Sequence, residues 1–164
     1  MDCDTLISMM QMVRQRLLGS LEAIEKSGRD VGEVLSWRPG VGRAHIGWQA
    51  MHCAATHDKY LNVFIRGGSP VDEKMVAAFG GGSVPSDENV PGLGEIRGAL
   101  EKNLRAFTDY VKGLNAGDLG RMVGPADRRR TLGEAIEMMV WHEAHHQGQI
   151  HLTWNLYKQA HATA

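Results

Sequence analysis

The chain has 164 residues, 43% hydrophobic and 23% charged, with a formal net charge of −1. That composition suits one globular domain, residues 1–164, with a sizeable core, and offers no bulk electrostatic case for nucleic acid or an anionic membrane. No apolar run approaches the ~20 residues that span a bilayer, the N-terminus MDCDTLISMM lacks the basic segment of a secretory signal, and two cysteines, Cys3 and Cys53, make no disulfide framework, so a cytoplasmic location is expected.

The first predicted helix runs from Thr5 to Lys26. Leu6, Met10, Val13, Leu17, Leu21 and Ile24 recur at steps of three and four, one buried stripe of an amphipathic helix. Gly28 ends it. The stretch GRDVGEVLSWRPGVGR, rich in Gly and holding Pro39, reads as a loop. A second helix covers Ala44 to Ile65 and stops at Gly67 and Gly68. VDEKMVAAF fits a short helix, and GGGSVPSDENVPG concentrates turn formers, so the region up to Gly92 is irregular. A loop of that length often serves as a lid or a binding loop.

A third helix spans Leu93 to Leu114, with Leu93, Ile96, Leu100, Leu104, Phe107, Val111 and Leu114 as its stripe. The connector GDLGRMVGPADRRR follows, and its Arg128, Arg129 and Arg130 read as a solvated turn. The fourth helix starts at Thr131, where Thr131-Leu-Gly-Glu134 matches a capping box, and continues to Tyr157. There is no strong strand pattern. Four long amphipathic helices with long connections predict an all-α four-helix bundle.

Six of the eight histidines fall in two short segments, residues 45–57 and 142–146. On the fourth helix an inner line passes through Ala135, Met139, His142, His146, Ile150, Thr153 and Tyr157. His142 and His146 are one turn apart on one face, and a divalent cation would satisfy both rings at once. A third ligand should come from another helix. The second helix carries His45, His52 and His57. Its apolar line through Ile46, Ala50, Cys53, His57, Leu61 and Phe64 favours His57, and spacing alone does not decide between His57 and His52.

His142-Glu143-Ala144-His145-His146 also contains H-E-x-x-H, the helix motif of zinc peptidases. Those enzymes set the motif under a strand that aligns the peptide. This chain is short and reads as all-α, so the peptidase reading is set aside. Glu143 points ~100° away from His142 and reads as a solvated carboxylate.

These residues resemble the DinB/YfiT-like family, the damage-inducible type that includes the bacillithiol transferases. In that family the second helix opens with an aliphatic residue and carries a ligand histidine six residues later, as Ile46 and His52 do here. The last-helix signature resembles W-H-x-x-H-H, matched by Trp141-His142-Glu143-Ala144-His145-His146. The resemblance implies a DinB-like bundle with metal ligands His52, His142 and His146, and it displaces His57 into the core or a supporting place. The Gly-rich loop from Phe79 to Gly92 departs from the pattern at the pocket mouth.

The resemblance further implies a divalent ion, zinc or nickel, with positions left open for water or substrate, and an S-transferase that activates a low-molecular-weight thiol. The expected partners are a small-molecule thiol and an electrophilic substrate, with no nucleic acid and no membrane. The alternatives are a non-catalytic metal-binding or stress-response bundle and a metal-dependent hydrolase. Gln149, His57 and Glu143 are the candidates to support the ligands or the substrate. Trp48, Trp141 and Trp154 read as core or interface residues, His145 and His151 as off the inner line, and Cys53 as a small buried hydrophobe. Apolar residues on more than one face of the second helix leave room for a homodimer.

Overall fold

The computed structural model describes residues 2–162. Four long helices form it: α1 (Cys3–Glu25), α3 (Ile46–Lys59), α5 (Leu93–Lys112) and α6 (Leu132–Ala160). Two short helices, α2 (Val31–Ser36) and α4 (Glu73–Phe79), lie in the connections. Each long helix packs on two others, in the cyclic order α1, α6, α3, α5. This is the all-α four-helix bundle that the periodicity predicts.

Helix starts follow side-chain capping. The Asp2 carboxylate accepts from the Thr5 amide at 2.8 Å, and the predicted capping box of α6 is present, with Thr131 and Glu134 each satisfying the other's amide. At α3 the cap is His45, whose Nδ1 accepts from the Trp48 amide at 3.0 Å. The stretch read as a loop after Gly28 contains α2. Asp30 caps it, and Val34 and Leu35 are buried, so two apolar side chains hold a helix too short to show periodicity. A second departure is a two-residue antiparallel ribbon, β1 (Met122–Val123) with β2 (Arg130–Thr131).

Beyond Lys59 the helix widens into a π turn, Tyr60–Ile65. Such turns are rare and recur at functional sites. The wide turn keeps Leu61 and Ile65 in the core and leaves Tyr60, Val63 and Phe64 half-buried. Asp58 fixes the chain beside it: the buried carboxylate accepts from the amides of Val71 (2.9 Å) and Asp72 (2.8 Å) and from Asn62 Nδ2 (2.7 Å).

The core has two apolar clusters. One gathers Leu17, Leu21, Ile24, Ile46, Leu100 and Ile150; the other gathers Leu6, Met10, Leu61, Phe107, Ile136 and Met139. Between them lies a charged layer to which all four long helices contribute. Arg14 of α1 donates to both carboxylate oxygens of Glu143 on α6, at 2.5 and 2.9 Å, and to the Leu100 carbonyl of α5. His57 Nε2 of α3 lies 3.1 Å from the same carboxylate. Among the described residues no helix is long and apolar enough to cross a membrane.

The Gly-rich segment after α4 is tied to the body of the protein. Arg38 pairs with Asp87 at 2.6 Å and donates to the Pro85 carbonyl, and His45 Nε2 meets the Ser86 carbonyl at 3.0 Å.

Candidate metal centre

The α3–α6 seam brings three histidines together. His52 sits midway along α3, and His142 and His146 are one turn apart on α6. Each offers a ring nitrogen, and the three nitrogens lie within 4.8 Å of one another. The Nε2 atoms of His52 and His142 are 3.0 Å apart. The ring centroids are 4.6–4.9 Å apart pairwise.

The surroundings orient His52. Its Nδ1 lies 2.6 Å from the Phe79 carbonyl at the end of α4. That contact places the proton on Nδ1 and leaves the Nε2 lone pair facing the cluster, the arrangement that positions metal-binding imidazoles. Trp48 stacks on the other side of the ring, 4.7 Å away and tilted by 10°. The Nδ1 atoms of His142 and His146 are buried without a hydrogen-bond partner among the described residues. Unpaired buried ring nitrogens are costly in an apolar core.

Burial drives the ionisation of the group. It pushes His142 down to about 3, helped by the neighbouring His146, His52 and His57. It pushes His146 down to about 4, with His52 and His145 adding to the effect. His52 is lowered too, again through burial. Three imidazoles are thus held neutral at pH 7, with lone pairs available and little room for three added protons. Neutral nitrogen is what a divalent cation takes from histidine. The donor set therefore fits a cation, and the group could hold one.

His57, which periodicity favours as the third ligand, is five residues past His52, or about 140° round the helix. It is 1% exposed and faces the bundle centre, 5.4 Å from the Phe107 ring and against Glu143. His52 is the α3 histidine that reaches the α6 pair.

Glu143 requires a correction. The sequence reading makes it a solvated carboxylate, yet it is 1% exposed and belongs to the charged layer. The inward line of α6 at mid-helix passes through Ile136, Met139, Val140, Glu143 and Ile150, and the two ligand histidines stand at its edge, half-buried. Burial alone would raise the Glu143 carboxyl, but the His57 contact and the Arg14 charge hold it down to about 2. It stays ionised and engaged there, so it is not the free base that H-E-x-x-H supplies in a peptidase.

Gln149 is exposed, and its hydrogen bond goes to His145, 2.8 Å away. Trp141, read as core or interface, is 60% exposed and stacked on His145. Cys53 is fully buried, as expected.

A cleft of about 790 Å³ opens beside His52 and His142. One wall is the continuing face of α3 and its π turn: Thr56, Lys59, Tyr60, Val63 and Phe64. The facing wall comes from the connector before α6, with Arg121, Met122, Gly124 and Arg128. Gly124 has φ +92°, and a Cβ there would stand 2.4 Å from the Phe64 ring, so only glycine lets the walls meet this closely. The sequence reading missed these lining residues. The steps of four, three and four from His52 through Thr56, Lys59 and Val63 were the available signal. Arg128 was read as part of a solvated turn, because the ribbon that folds it over the cleft is too short to leave a pattern.

A sequence profile of the DinB superfamily matches residues 6–150. Among solved structures, a conserved protein from Enterococcus faecalis shares the fold, with a TM-score of 0.73 over 95% of this chain and 97% of that one, at 12% identity. No curated protein matches the sequence.

Proposed function

The chain belongs to the DinB superfamily, and from that premise we propose that it is a metal-dependent S-transferase. His52, His142 and His146 would hold a divalent ion, zinc or nickel, since imidazole nitrogen suits both. The observation that carries the reading is that two of the three clustered histidines, His52 and His142, line a cleft large enough for a small organic molecule.

A cation on three neutral ligands keeps its full charge and so lets a thiol ionise near neutral pH. The chain's own residues do the rest. The Phe79 carbonyl and the Trp48 ring fix His52, and the walls around Tyr60, Val63 and Phe64 shield the reacting groups from water. With the thiol proton given up to solvent, the sulfur would form an S–C bond to an electrophile as the bond to its leaving group (chloride in monochlorobimane) breaks, and no protein base would be required.

The absence of such a base favours transfer over hydrolysis. Among the described residues no Asp or Glu lines the cleft, and Glu143, next to His142 in sequence, is committed to Arg14 and His57. In the H-E-x-x-H hydrolases the glutamate beside the metal is the base for water attack.

The test has two stages. Metal analysis of protein purified without chelator should give one ion per chain, lost in His52→Ala and in His146→Ala. The same metal content in both variants refutes the site. Metal-loaded protein is then incubated with a panel of thiols and monochlorobimane. Conjugation faster than with the free ion supports transfer; equal rates reduce the protein to a metal-binding bundle.

A further inference from the structure

The cleft beside the histidines has an uneven charge. Lys59, Arg66, Arg121 and Arg128 all border it, and no carboxylate does among the described residues. They come from two segments far apart in sequence, the end of α3 with its π turn and the connector before α6. Local sequence bias therefore does not account for their meeting.

Their existing partners leave most of the charge unanswered. Arg121 donates to the Tyr110 hydroxyl at 2.9 Å. Arg66 donates to Asn62 Oδ1 at 3.0 Å and lies over the Tyr110 ring. Both partners are neutral. Arg128 meets only its neighbour Asp127, at 3.4 Å, in a pair more than two-thirds exposed. Lys59 makes no ion pair among the described residues, because the adjacent Asp58 is spent on two amides and Asn62.

The cleft beside this rim has an apolar and aromatic floor. Phe64 stacks on Tyr60 at 4.5 Å, with Val63 and Met122 alongside. Lys59 follows His52 by seven residues, about 10 Å along a helix axis. Along that wall His52, Thr56 and Lys59 therefore come first, with Val63, Phe64 and Arg66 beyond them.

We propose that the cleft selects an anionic ligand: a small molecule with an apolar body that reaches the histidine group at one end and carries a carboxylate or phosphate to the Lys59 and Arg121 rim at the other. For the thiol that would be the co-substrate, this rests on the transferase reading above. The rim itself recognises the anion whatever stands at the other end. Exposed cations each contribute little in water, but several converging on one charge beside an apolar wall add up.

The experiment titrates cobalt-loaded protein with three probes of one length: mercaptohexanoate, mercaptohexyl phosphate and mercaptohexanol. Thiolate-to-cobalt absorption reports binding. At low salt at least one anion should bind about tenfold more tightly than the alcohol, and the gap should close at high salt. Replacing both Lys59→Gln and Arg121→Gln should bring the anion down to the alcohol and leave the alcohol unchanged. The preferred anion tells carboxylate from phosphate. Equal affinity for all three probes overturns the proposal. If no probe gives the absorption, the thiol reading fails by itself. Calorimetry of hexanoate, hexyl phosphate and hexanol with metal-free protein then decides for the rim: selectivity for an anion supports it, and none overturns it.

Discussion

Arg14→Met probes the charged layer most directly. Arg14 is 2% exposed and Glu143 1%. The substitution removes two hydrogen bonds to the Glu143 carboxylate and one to the Leu100 carbonyl, leaving the buried anion with His57 as its remaining ion-pair contact among the described residues. Breaking a buried pair by removing one partner costs ~3–5 kcal/mol, because the remaining charge is uncompensated. In a protein whose whole stability is of order 5–15 kcal/mol, that is a large fraction, and at about 2–4 °C per kcal/mol the melting temperature should fall by roughly 6–20 °C. Urea unfolding of chelator-treated protein measures the loss apart from metal binding. The pH arm has a definite sign. The folded Glu143 carboxyl is held at about 2, below its ordinary 4.5, so its contribution is present above pH 4.5 and is lost as pH falls toward 2. Without Arg14 that loss moves to higher pH. Adding Glu143→Leu and His57→Leu to Arg14→Met should recover most of the stability, since an apolar set of similar volume removes the buried charge altogether. A cost of less than ~1 kcal/mol for Arg14→Met, or no recovery in the triple variant, would refute the idea that charge compensation holds this layer.

Three further outcomes are expected. Because burial keeps His142 and His146 below the ordinary 6.5, at about 3 and about 4, protons compete weakly with the metal. Cobalt affinity should fall less steeply below pH 6.5 than that of three ordinary imidazoles, and a fall as steep as theirs would count against the lowered values; the metal-free protein should lose stability as pH drops below 6.5, where the unfolded chain takes up protons first. Gly124→Ala would force a Cβ against the Phe64 ring at a positive φ, and should cost about 1–3 kcal/mol, read as a lower melting temperature; an unchanged melting temperature would show that Phe64 moves aside freely. Burial raises the Cys53 thiol well above its usual range, so mass spectrometry after brief alkylation of native protein should find label on Cys3 alone, with Cys53 reacting only after unfolding.

The legible parts of this fold were those that repeat. The stripe Leu6, Met10, Val13, Leu17, Leu21 and Ile24 is buried throughout, and the Thr131–Glu134 capping box sits where the sequence puts it. Periodicity works there because each position repeats one environment. It fails at α2, which is under two turns long, and at the π turn, where an extra residue per turn shifts the phase of Tyr60 to Ile65. At the third histidine it pointed to the wrong face for the same kind of reason. His57 does lie on the apolar line of α3, and an apolar line marks the core. A ligand at the seam of two helices stands beside the line, half a core residue and half a wall of the cleft. The choice of His52 came from resemblance; the geometry gives its reason.

The same offset explains Glu143. Adjacent residues on a helix are ~100° apart, and here His142 faces His52 while Glu143 faces Arg14 and His57. When α6 turns His142 and His146 toward His52, residue 143 must point at the bundle axis. A carboxylate at that position needs a cation, and Arg14 on the neighbouring helix α1 supplies it. The Arg14 pair and the His57 contact then act on α6 as a rotational stop, because any turn of the helix that moves the histidines away from α3 also pulls the carboxylate out of its partners. The H-E-x-x-H string is thus read on two faces. His142 and His146 belong to the three-histidine group, and Glu143 to the charged layer that fixes how those histidines point. Glu143→Gln separates the two effects: it keeps an acceptor for Arg14 while removing the charge, so cobalt stoichiometry should remain one per chain as stability falls. Full stability with lost cobalt binding would instead place Glu143 at the metal.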